Sequence, residues 1–188
     1  MAQNASERMV ASAIVLLAKR GLAGASFAEV LADSGAPRGS IYHHFPEGKE
    51  QLIAAAIDAA GGRAAGLLDT LEGRGPAGVV DGFMAMWRAV LERSGLTAGC
   101  SVLAVTVSAD SGPLLDRAGQ VFRSWQARLA ALLRSAGLRD DDADGFATLL
   151  IAASEGAVVL ARGQRELAPF ETVHAQLRAL AASFPPRG

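Results

Sequence analysis

The chain has 188 residues, of which 51% are hydrophobic, and a formal net charge of −1. This length and apolar content predict a folded globular protein and exclude a disordered one, and the near-neutral charge excludes nucleic-acid binding through net charge alone. The single cysteine, Cys100, excludes an intramolecular disulfide and a cysteine-rich metal site. We interpret it as a small buried side chain in a reducing cytoplasm rather than as a redox sensor.

Helix start and stop signals recur along the whole sequence, whereas no segment shows sustained strand alternation. The chain is therefore predicted to be all-α, with about nine helices. The first helix is predicted around residues 9–18, where apolar residues repeat at helical spacing. Glu7 precedes this apolar run, which argues against a signal peptide.

The next twenty residues predict two short helices joined by a sharp turn. Ser26 and Glu29 have the spacing of a capping box, which begins a helix at Phe27. Gly35 supplies the left-handed residue that ends this helix. Pro37 suits the first turn of a second helix, which then begins within about two residues of the glycine. This is the pattern of a helix-turn-helix unit.

In the second of these helices, Ile41 and Phe45 lie four residues apart and are predicted to face inward. The remaining residues face outward and combine guanidinium, hydroxyl, phenol and imidazole groups, which suit phosphates and base edges. Gly39 would let the helix backbone approach a DNA groove closely. The outward set is Arg38, Gly39, Ser40, Tyr42, His43 and His44.

Residues 35–52, GAPRGSIYHHFPEGKEQL, resemble the signature of TetR-type transcriptional regulators. The matching residues are Gly39, Ser40, Ile41, Tyr42, His44, Phe45, Pro46, Lys49 and Glu50. Two features depart from the signature: Pro37 replaces the usual small capping residue, and one residue is inserted between Pro46 and Lys49. The insertion resembles a sub-branch linked to drug-efflux and lincomycin-resistance repressors, and it leaves open whether Lys49 contacts a phosphate.

A long fourth helix, from Lys49 to Leu71, is predicted to connect a DNA-binding domain (1–50) to a ligand-binding and dimerisation domain (51–188). Gly61 and Gly62 mark a possible bend in this helix. The later helices are predicted at residues 77–93, 101–109, 113–137, 143–163 and 169–184.

The last two helices have the pattern of a bundle shared by two subunits. Helix 8 is apolar on nearly all sides, and in helix 9 apolar residues alternate at steps of three and four. Gly156 would permit close approach of backbones. The alternative is that both helices fill the core of one monomer, whereas the resemblance implies a homodimer made from them. The predicted interface residues are Phe146, Leu150, Ala153, Ala157, Leu160, Phe170, Val173, Leu177, Leu180 and Phe184.

Helices 5 and 7 carry large, adaptable side chains that would suit a pocket for a flat apolar molecule. An ordinary packed core explains the same spacing. That a small apolar or aromatic effector exists is implied by the resemblance alone. The candidate pocket residues are Phe83, Met84, Met86, Trp87, Phe122 and Trp125.

Two other motifs are rejected on their context. Residues 73–78 have the spacing of a dinucleotide fingerprint, but a helix rather than a strand precedes them. Residues 140–145 resemble the start of a calcium loop, but the twelfth position is Ile151 instead of a glutamate. The acids are more consistent with a cap on helix 8. We expect no metal and no cofactor.

Together with the helix-turn-helix pattern, the resemblance to TetR-type regulators implies a homodimeric repressor that places helix 3 in the major grooves of a palindromic operator and is released by its effector. Arg38 is the candidate for a base contact, and Ser40 and His43 for base or phosphate contacts. Tyr42, His44 and Lys49 are candidates for phosphate contacts. Ser26, at the start of helix 2, completes the DNA-facing set.

Two alternatives remain open at this stage: a helical protein-interaction module without DNA binding, and an all-α enzyme that uses His174. The apolar stretch 147–161 is too short for a bilayer, which requires about 20 residues. We therefore expect a cytoplasmic protein with no membrane association.

Overall fold

The computed structural model describes residues 4–110 and 112–185. Within these ranges the chain forms nine helices and no strand, so the all-α prediction is confirmed. The helices are α1 (Ala5–Gly24), α2 (Phe27–Ser34), α3 (Arg38–His44), α4 (Lys49–Asp69), α5 (Pro76–Ser94), α6 (Ser101–Thr106), α7 (Gly112–Ser135), α8 (Asp140–Gln164) and α9 (Ala168–Ser183).

Helix α1 is longer than the sequence predicts because its N-terminus is capped four residues earlier. The Glu7 backbone N–H donates to Asn4 Oδ1 at 2.8 Å, and the Asn4 N–H donates to Glu7 Oε2 at 3.1 Å. This is a complete capping box, formed by an Asn-x-x-Glu pattern that the sequence analysis did not use. Near its other end, Gly21 interrupts the helix with φ of +70°, a conformation that glycine adopts without strain.

The chain divides into two compact units. The first contains the residues up to Gly62 together with Cys100–Val121, and the second contains Arg63–Gly99 and Phe122–Gly188. The first unit therefore extends beyond the 50 residues that the sequence assigned to the DNA-binding domain. Helices α4 and α7 each contribute residues to both units.

In the first unit, α1 packs against α2, α3 and α6. Helix α4 continues through Gly61 and Gly62 without interruption, and the structure gives Gly61 a role in packing. A Cβ atom at Gly61 would lie 2.9 Å from Val121 Cγ2, which is too close for any side chain. The glycine therefore allows α7 to approach α4 closely.

In the second unit, α5, α8 and α9 pack against one another. Helix α8 is, among the described residues, the one helix that is long and apolar enough to cross a membrane. Half of its most apolar stretch is buried inside the protein, as in the core helix of a globular fold. Its apolar character is therefore explained by packing.

Candidate nucleic-acid interface

The helix-turn-helix has the local structure that its sequence predicts. Ser26 Oγ accepts a hydrogen bond from the Glu29 N–H at 3.2 Å, and α2 begins at the next residue, Phe27. Gly35 is left-handed, with φ of +64°, and its N–H donates to the Leu31 carbonyl at 3.1 Å. The turn is therefore closed by one side-chain cap and one glycine.

One detail of the predicted capping box is wrong. The Glu29 carboxylate does not return to the Ser26 backbone; it accepts a hydrogen bond from Arg20 at 2.7 Å. A charged donor outcompetes a backbone N–H for a carboxylate, because charge-assisted hydrogen bonds are the stronger ones. Arg8 likewise donates from Nε to the Ser34 carbonyl at 3.3 Å, so two arginines of α1 hold the two ends of α2.

Helix α3 has an inner and an outer face. Ile41 is fully buried and the adjoining Phe45 is 4% exposed, as the four-residue spacing predicts. Of the six predicted outward residues of α3, four are exposed and two are half-buried. The exposed ones are Arg38, Gly39, Tyr42 and His43, and the half-buried ones are Ser40 and His44.

The outer face adjoins an open groove of about 520 Å³ between α2 and α3. Tyr42 is 69% exposed, and its ring packs edge-on against Phe27 with 5.8 Å between centroids. This contact orients the phenol while leaving its hydroxyl in solvent. The groove is lined by Phe27, Ala28, Leu31, Ala32, Ala36, Arg38 and Tyr42.

Ser40 is already engaged inside the unit. Its hydroxyl donates to the Pro37 carbonyl at 2.6 Å, so in this conformation its oxygen is available only as an acceptor. An acceptor at this position suits a base amino group rather than a phosphate, which itself only accepts. The neighbouring His43 and His44 rings meet edge-on at 5.2 Å.

Lys49 is held within the protein. Its Nζ donates to the Leu22 carbonyl at 2.8 Å, which ties the start of α4 to the end of α1. The insertion before it forms a turn in which Gly48 has φ of +90°, a conformation that favours glycine. The Lys49 ammonium has further N–H donors besides the one that Leu22 accepts, so this hydrogen bond does not decide whether Lys49 contacts a phosphate, and the contact stays a prediction.

The predicted pocket residues lie in the second unit. Phe83, Met84 and Trp125 are buried, and the Phe122 and Trp125 rings meet edge-on at 5.5 Å. Met86 and Trp87 are half-buried. The Trp87 indole N–H has no hydrogen-bond partner among the described residues although the atom is buried. Whether these side chains bind an effector stays a prediction.

Half of the predicted dimer residues lie inside the protomer. Five have exposures of 4% or less and pack within their own chain: Phe146, Leu150, Ala157, Phe170 and Leu177. Phe184 is half-buried and its ring lies 5.2 Å from that of Phe146, and Ala153 and Val173 are also half-buried.

Only Leu160 and Leu180 of the predicted set are exposed, at 48% and 37%. Helix α8 also exposes Leu149 and Val159, at 45% and 53%, which the sequence analysis did not include in the interface. A helix that is apolar all round does not reveal which of its faces is the outer one. Which of these residues contact a second copy stays a prediction.

The enzyme alternative rested on His174, which instead connects helices. Its Nε2 lies 2.9 Å from Asp81 Oδ1, and Arg178 Nε donates to Asp81 Oδ2 at 3.0 Å. Partial burial by itself would raise the pKa of the Asp81 carboxyl, but the hydrogen bonds and positive charges of His174 and Arg178 outweigh it and lower the pKa below its usual value. The three residues join α9 to α5.

The acidic run at the start of α8 forms its first turn, so the helix begins at Asp140 rather than at the predicted residue 143. Arg139 contacts Asp142 at 2.7 Å, and Arg134 of α7 contacts both Asp140 and Asp144. These acids therefore lie at the positive end of the helix dipole, where negative charge is stabilising, and they bind neighbouring arginines.

Comparisons with known proteins agree with this architecture. Residues 10–56 match the family model described as bacterial regulatory proteins, tetR family, and residues 76–176 match the model described as transcriptional regulator LmrA/YxaF-like, C-terminal domain. An HTH-type transcriptional regulator of Mycobacterium tuberculosis is 38% identical over 98% of both chains. The HTH-type transcriptional regulator LmrA of Bacillus subtilis is 27% identical over 87% of this chain and 89% of its own.

Solved structures show the same fold. A TetR transcriptional regulator from Chloroflexus aurantiacus has a TM-score of 0.81 and 30% identity, covering 98% of this chain and 97% of its own. A TetR regulatory protein from Rhodobacter sphaeroides has a TM-score of 0.84 and 25% identity, covering 93% and 97%. These relatives are transcriptional regulators and not enzymes, so the enzyme alternative is not retained. With both family models matched in order along the chain, the protein belongs to the TetR family of DNA-binding transcriptional regulators, in its LmrA/YxaF-like group.

Proposed function

We propose that this protein is a homodimeric repressor that binds a palindromic operator and is released from it by a small apolar effector. The observation that carries the proposal is the outer face of α3, where Arg38, Tyr42 and His43 are exposed over a fully buried Ile41. Such a face presents donors to a major groove on a rigid support.

The roles on this face differ between residues. Arg38 is exposed and its guanidinium makes no hydrogen bond to another residue within the described parts of the chain, so it is available for the paired acceptors O6 and N7 of a guanine. Tyr42 and the half-buried His44 are suited to phosphates, which set the register of the protein on the duplex. Ser40, as an acceptor, and the exposed His43 complete the base-reading set.

The second copy is proposed to pack on the exposed apolar stripe of the last two helices. On α8 this stripe contains Leu149, Val159 and Leu160, and on α9 it contains Leu180. Gly156 is exposed on the same helix, and a Cβ built on it meets nothing within 4 Å, so a partner backbone can approach there. Exposed large apolar side chains on neighbouring helices are what a protein interface would cover.

Effector binding is proposed to occur in the second unit, around the aromatic side chains of α5 and α7. Helices α4 and α7 run without interruption from one unit into the other, which gives a covalent route between the effector and the DNA-binding head. The effector lowers DNA affinity only in so far as it binds one conformation more tightly than the other. A cytoplasmic location follows from DNA as the ligand.

The test is selection of bound duplexes from a random pool by the full-length protein. We expect a two-fold symmetric sequence with half-sites about 34–36 Å apart, which is one helical turn of DNA. Affinity for this duplex should fall steeply as salt rises, because phosphate contacts release counterions. An asymmetric selected sequence, or binding that is indifferent to salt, would contradict the proposal and favour the protein-interaction alternative.

A further inference from the structure

An exposed ion pair at the start of α2 lies beside the surface that we propose to face DNA. Arg20 Nη1 of α1 donates to Glu29 Oε2 of α2 at 2.7 Å. The two side chains are 60% and 51% exposed, so the pair is in contact with solvent. Ion pairs as exposed as this one add little to stability, because water and salt screen them. The guanidinium can therefore leave its carboxylate for another anion at little cost.

The exposed face of α2 places Glu29 next to the groove between α2 and α3. Four residues of α2 are exposed, namely Ala28, Glu29, Ala32 and Asp33. Of these, Ala28 and Ala32 line the groove, which is also lined by Arg38 and Tyr42. Successive residues of a helix are 100° apart, so Glu29 follows Ala28 just outside the rim of the groove. The ion pair therefore stands at the edge of the surface that carries Arg38.

The first turn of α2 also adjoins a residue that we propose for a phosphate contact. Phe27, the first residue of α2, packs edge-on against Tyr42 of α3, and Ser26 caps the same turn. In a helix-turn-helix the first helix crosses the DNA backbone while the second enters the major groove. We therefore expect phosphates beside the turn that contains Glu29, where the carboxylate repels them and the guanidinium of Arg20 attracts them.

We propose that Arg20 is a further phosphate-binding residue and that Glu29 competes with DNA for it. The inference rests on the proposed DNA-binding face and adds to it an acid that limits affinity. In the free protein the guanidinium pairs with the Glu29 carboxylate, and on DNA it exchanges this partner for a phosphate. The exchange is favourable because the exposed pair is weak, whereas each phosphate contact releases condensed counterions. Glu29 thus lowers affinity for every duplex without contacting a base.

The salt dependence of DNA binding tests the role of Arg20. Affinity of the full-length protein for a labelled duplex is measured by fluorescence anisotropy between about 50 and about 200 mM salt. Arg20→Gln should bind more weakly, and its plot of log affinity against log salt should be shallower by about 0.9, the value for one lost phosphate contact. Arg20→Lys keeps the charge and should keep the slope of the parent protein. Equal slopes for Arg20→Gln and the parent would overturn the inference.

The matched control is Arg128→Gln, which removes an exposed arginine that pairs with Asp69 in the second unit. Its slope should equal that of the parent protein. Urea unfolding of Arg20→Gln should also resemble that of the parent, because the ion pair is exposed. A large loss of stability would show that Arg20 serves the fold rather than DNA binding, and would overturn the inference.

Glu29→Gln tests the competition. The amide keeps the shape of the side chain and the backbone N–H that Ser26 accepts, but it holds a guanidinium more weakly than a carboxylate does. We expect Glu29→Gln to bind the duplex about two- to fivefold more tightly, which corresponds to the strength of an exposed ion pair. In the double variant with Arg20→Gln this gain should disappear, because no guanidinium remains to be released. Weaker binding by Glu29→Gln, or a gain that persists in the double variant, would overturn the competition.

A duplex of random sequence separates this inference from the proposed function, because phosphate contacts do not depend on base sequence. If Arg20→Gln lowers the salt slope on such a duplex but no symmetric operator can be selected, the inference stands and the palindromic operator is wrong. If a symmetric operator is selected but the slopes are equal, the proposed function stands and the role of Arg20 is wrong. If the parent protein binds no duplex, both are overturned.

Discussion

Helices α3 and α8 differ in how clearly the amino-acid sequence distinguishes their exposed faces from their buried faces. Helix α3 has seven residues, and its inner and outer faces differ in polarity: Ile41 is buried while Arg38 and His43 are exposed. Helix α8 has 25 residues and apolar side chains on both its buried and its exposed faces, with Leu150 fully buried and Leu160 48% exposed. Polarity distinguishes the proposed DNA-binding face of α3 from its buried face, whereas only solvent exposure distinguishes the proposed dimer face of α8.

The largest effects should come from two substitutions that test the buried face and the exposed face of α8 one at a time. Leu150→Ala should reduce the free energy of unfolding by about 2–5 kcal/mol, because it leaves a cavity in the core of the protomer. Leu160→Glu should leave the fold intact and place a charge in the proposed dimer interface. Its mass in solution, measured by light scattering, should fall from that of a dimer to the 19.3 kDa of one chain. A dimeric Leu160→Glu variant would show that the stripe is not the interface.

On α3 the corresponding change removes recognition without affecting folding. Arg38→Ala should weaken binding to the selected duplex by about 10–100-fold, corresponding to about 1–3 kcal/mol for a paired guanine contact, and relax the preference at one base pair of each half-site. The control is Arg93→Ala, which removes an exposed arginine from α5. Mobility shifts on duplexes altered at each position give the result. Unchanged discrimination at every position would exclude Arg38 from base reading.

Gly61 and Gly62 of α4 allow a buried and an exposed position of one helix to be compared directly. Both Gly61→Ala and Gly62→Ala gain about 1 kcal/mol of helix propensity. A Cβ atom meets Val121 at 2.9 Å only in the first variant and open space in the second. Urea unfolding should therefore find Gly61→Ala less stable than Gly62→Ala by about 1–3 kcal/mol, the usual cost of overpacking. Equal stabilities would mean that α7 moves away freely.

The smallest effect concerns the polar contact between α5 and α9. The pKa of Asp81 is lower in the folded protein than in the unfolded chain. Its ionised form therefore stabilises the fold at pH values above the pKa in the unfolded chain, and this contribution is lost as pH falls through the pKa in the folded protein. Asp81 is partly exposed, so Asp81→Asn should cost less than about 1 kcal/mol at pH 7. The difference from the parent protein, measured by urea unfolding, should shrink on acidification. A difference that grows in acid would contradict the assigned direction.

The sequence was sufficient for the helix-turn-helix because its signals are local. Ser26 caps α2 by accepting from the N–H three residues later, Gly35 ends the same helix, and the spacing of Ile41 and Phe45 orients the next one. Each of these depends on a few neighbouring residues and on backbone geometry that a residue type dictates.

The contacts that could not be predicted from the sequence involve residues far apart in the chain. Arg20 donates to the Glu29 carboxylate, which was predicted to cap α2, and Lys49 donates to the Leu22 carbonyl, 27 residues earlier. Glu155 of α8 is 7% exposed, and its burial likewise depends on how the helix packs, since a single Glu in an apolar stretch has the same pattern whether it faces water or the core. These partners become visible only when the helices are packed.

The membership of α6 and the first part of α7 in the same unit as the helix-turn-helix has a practical consequence for grafting. A transplant ending at residue 50 would carry the side chains that we propose to read bases but discard Leu52, Ile53 and Ile57, all of which are fully buried. It would also lose the helix that packs on α1. Exchange of DNA specificity between relatives therefore calls for a discontinuous swap, in which the amino-terminal 62 residues travel together with Cys100–Val121.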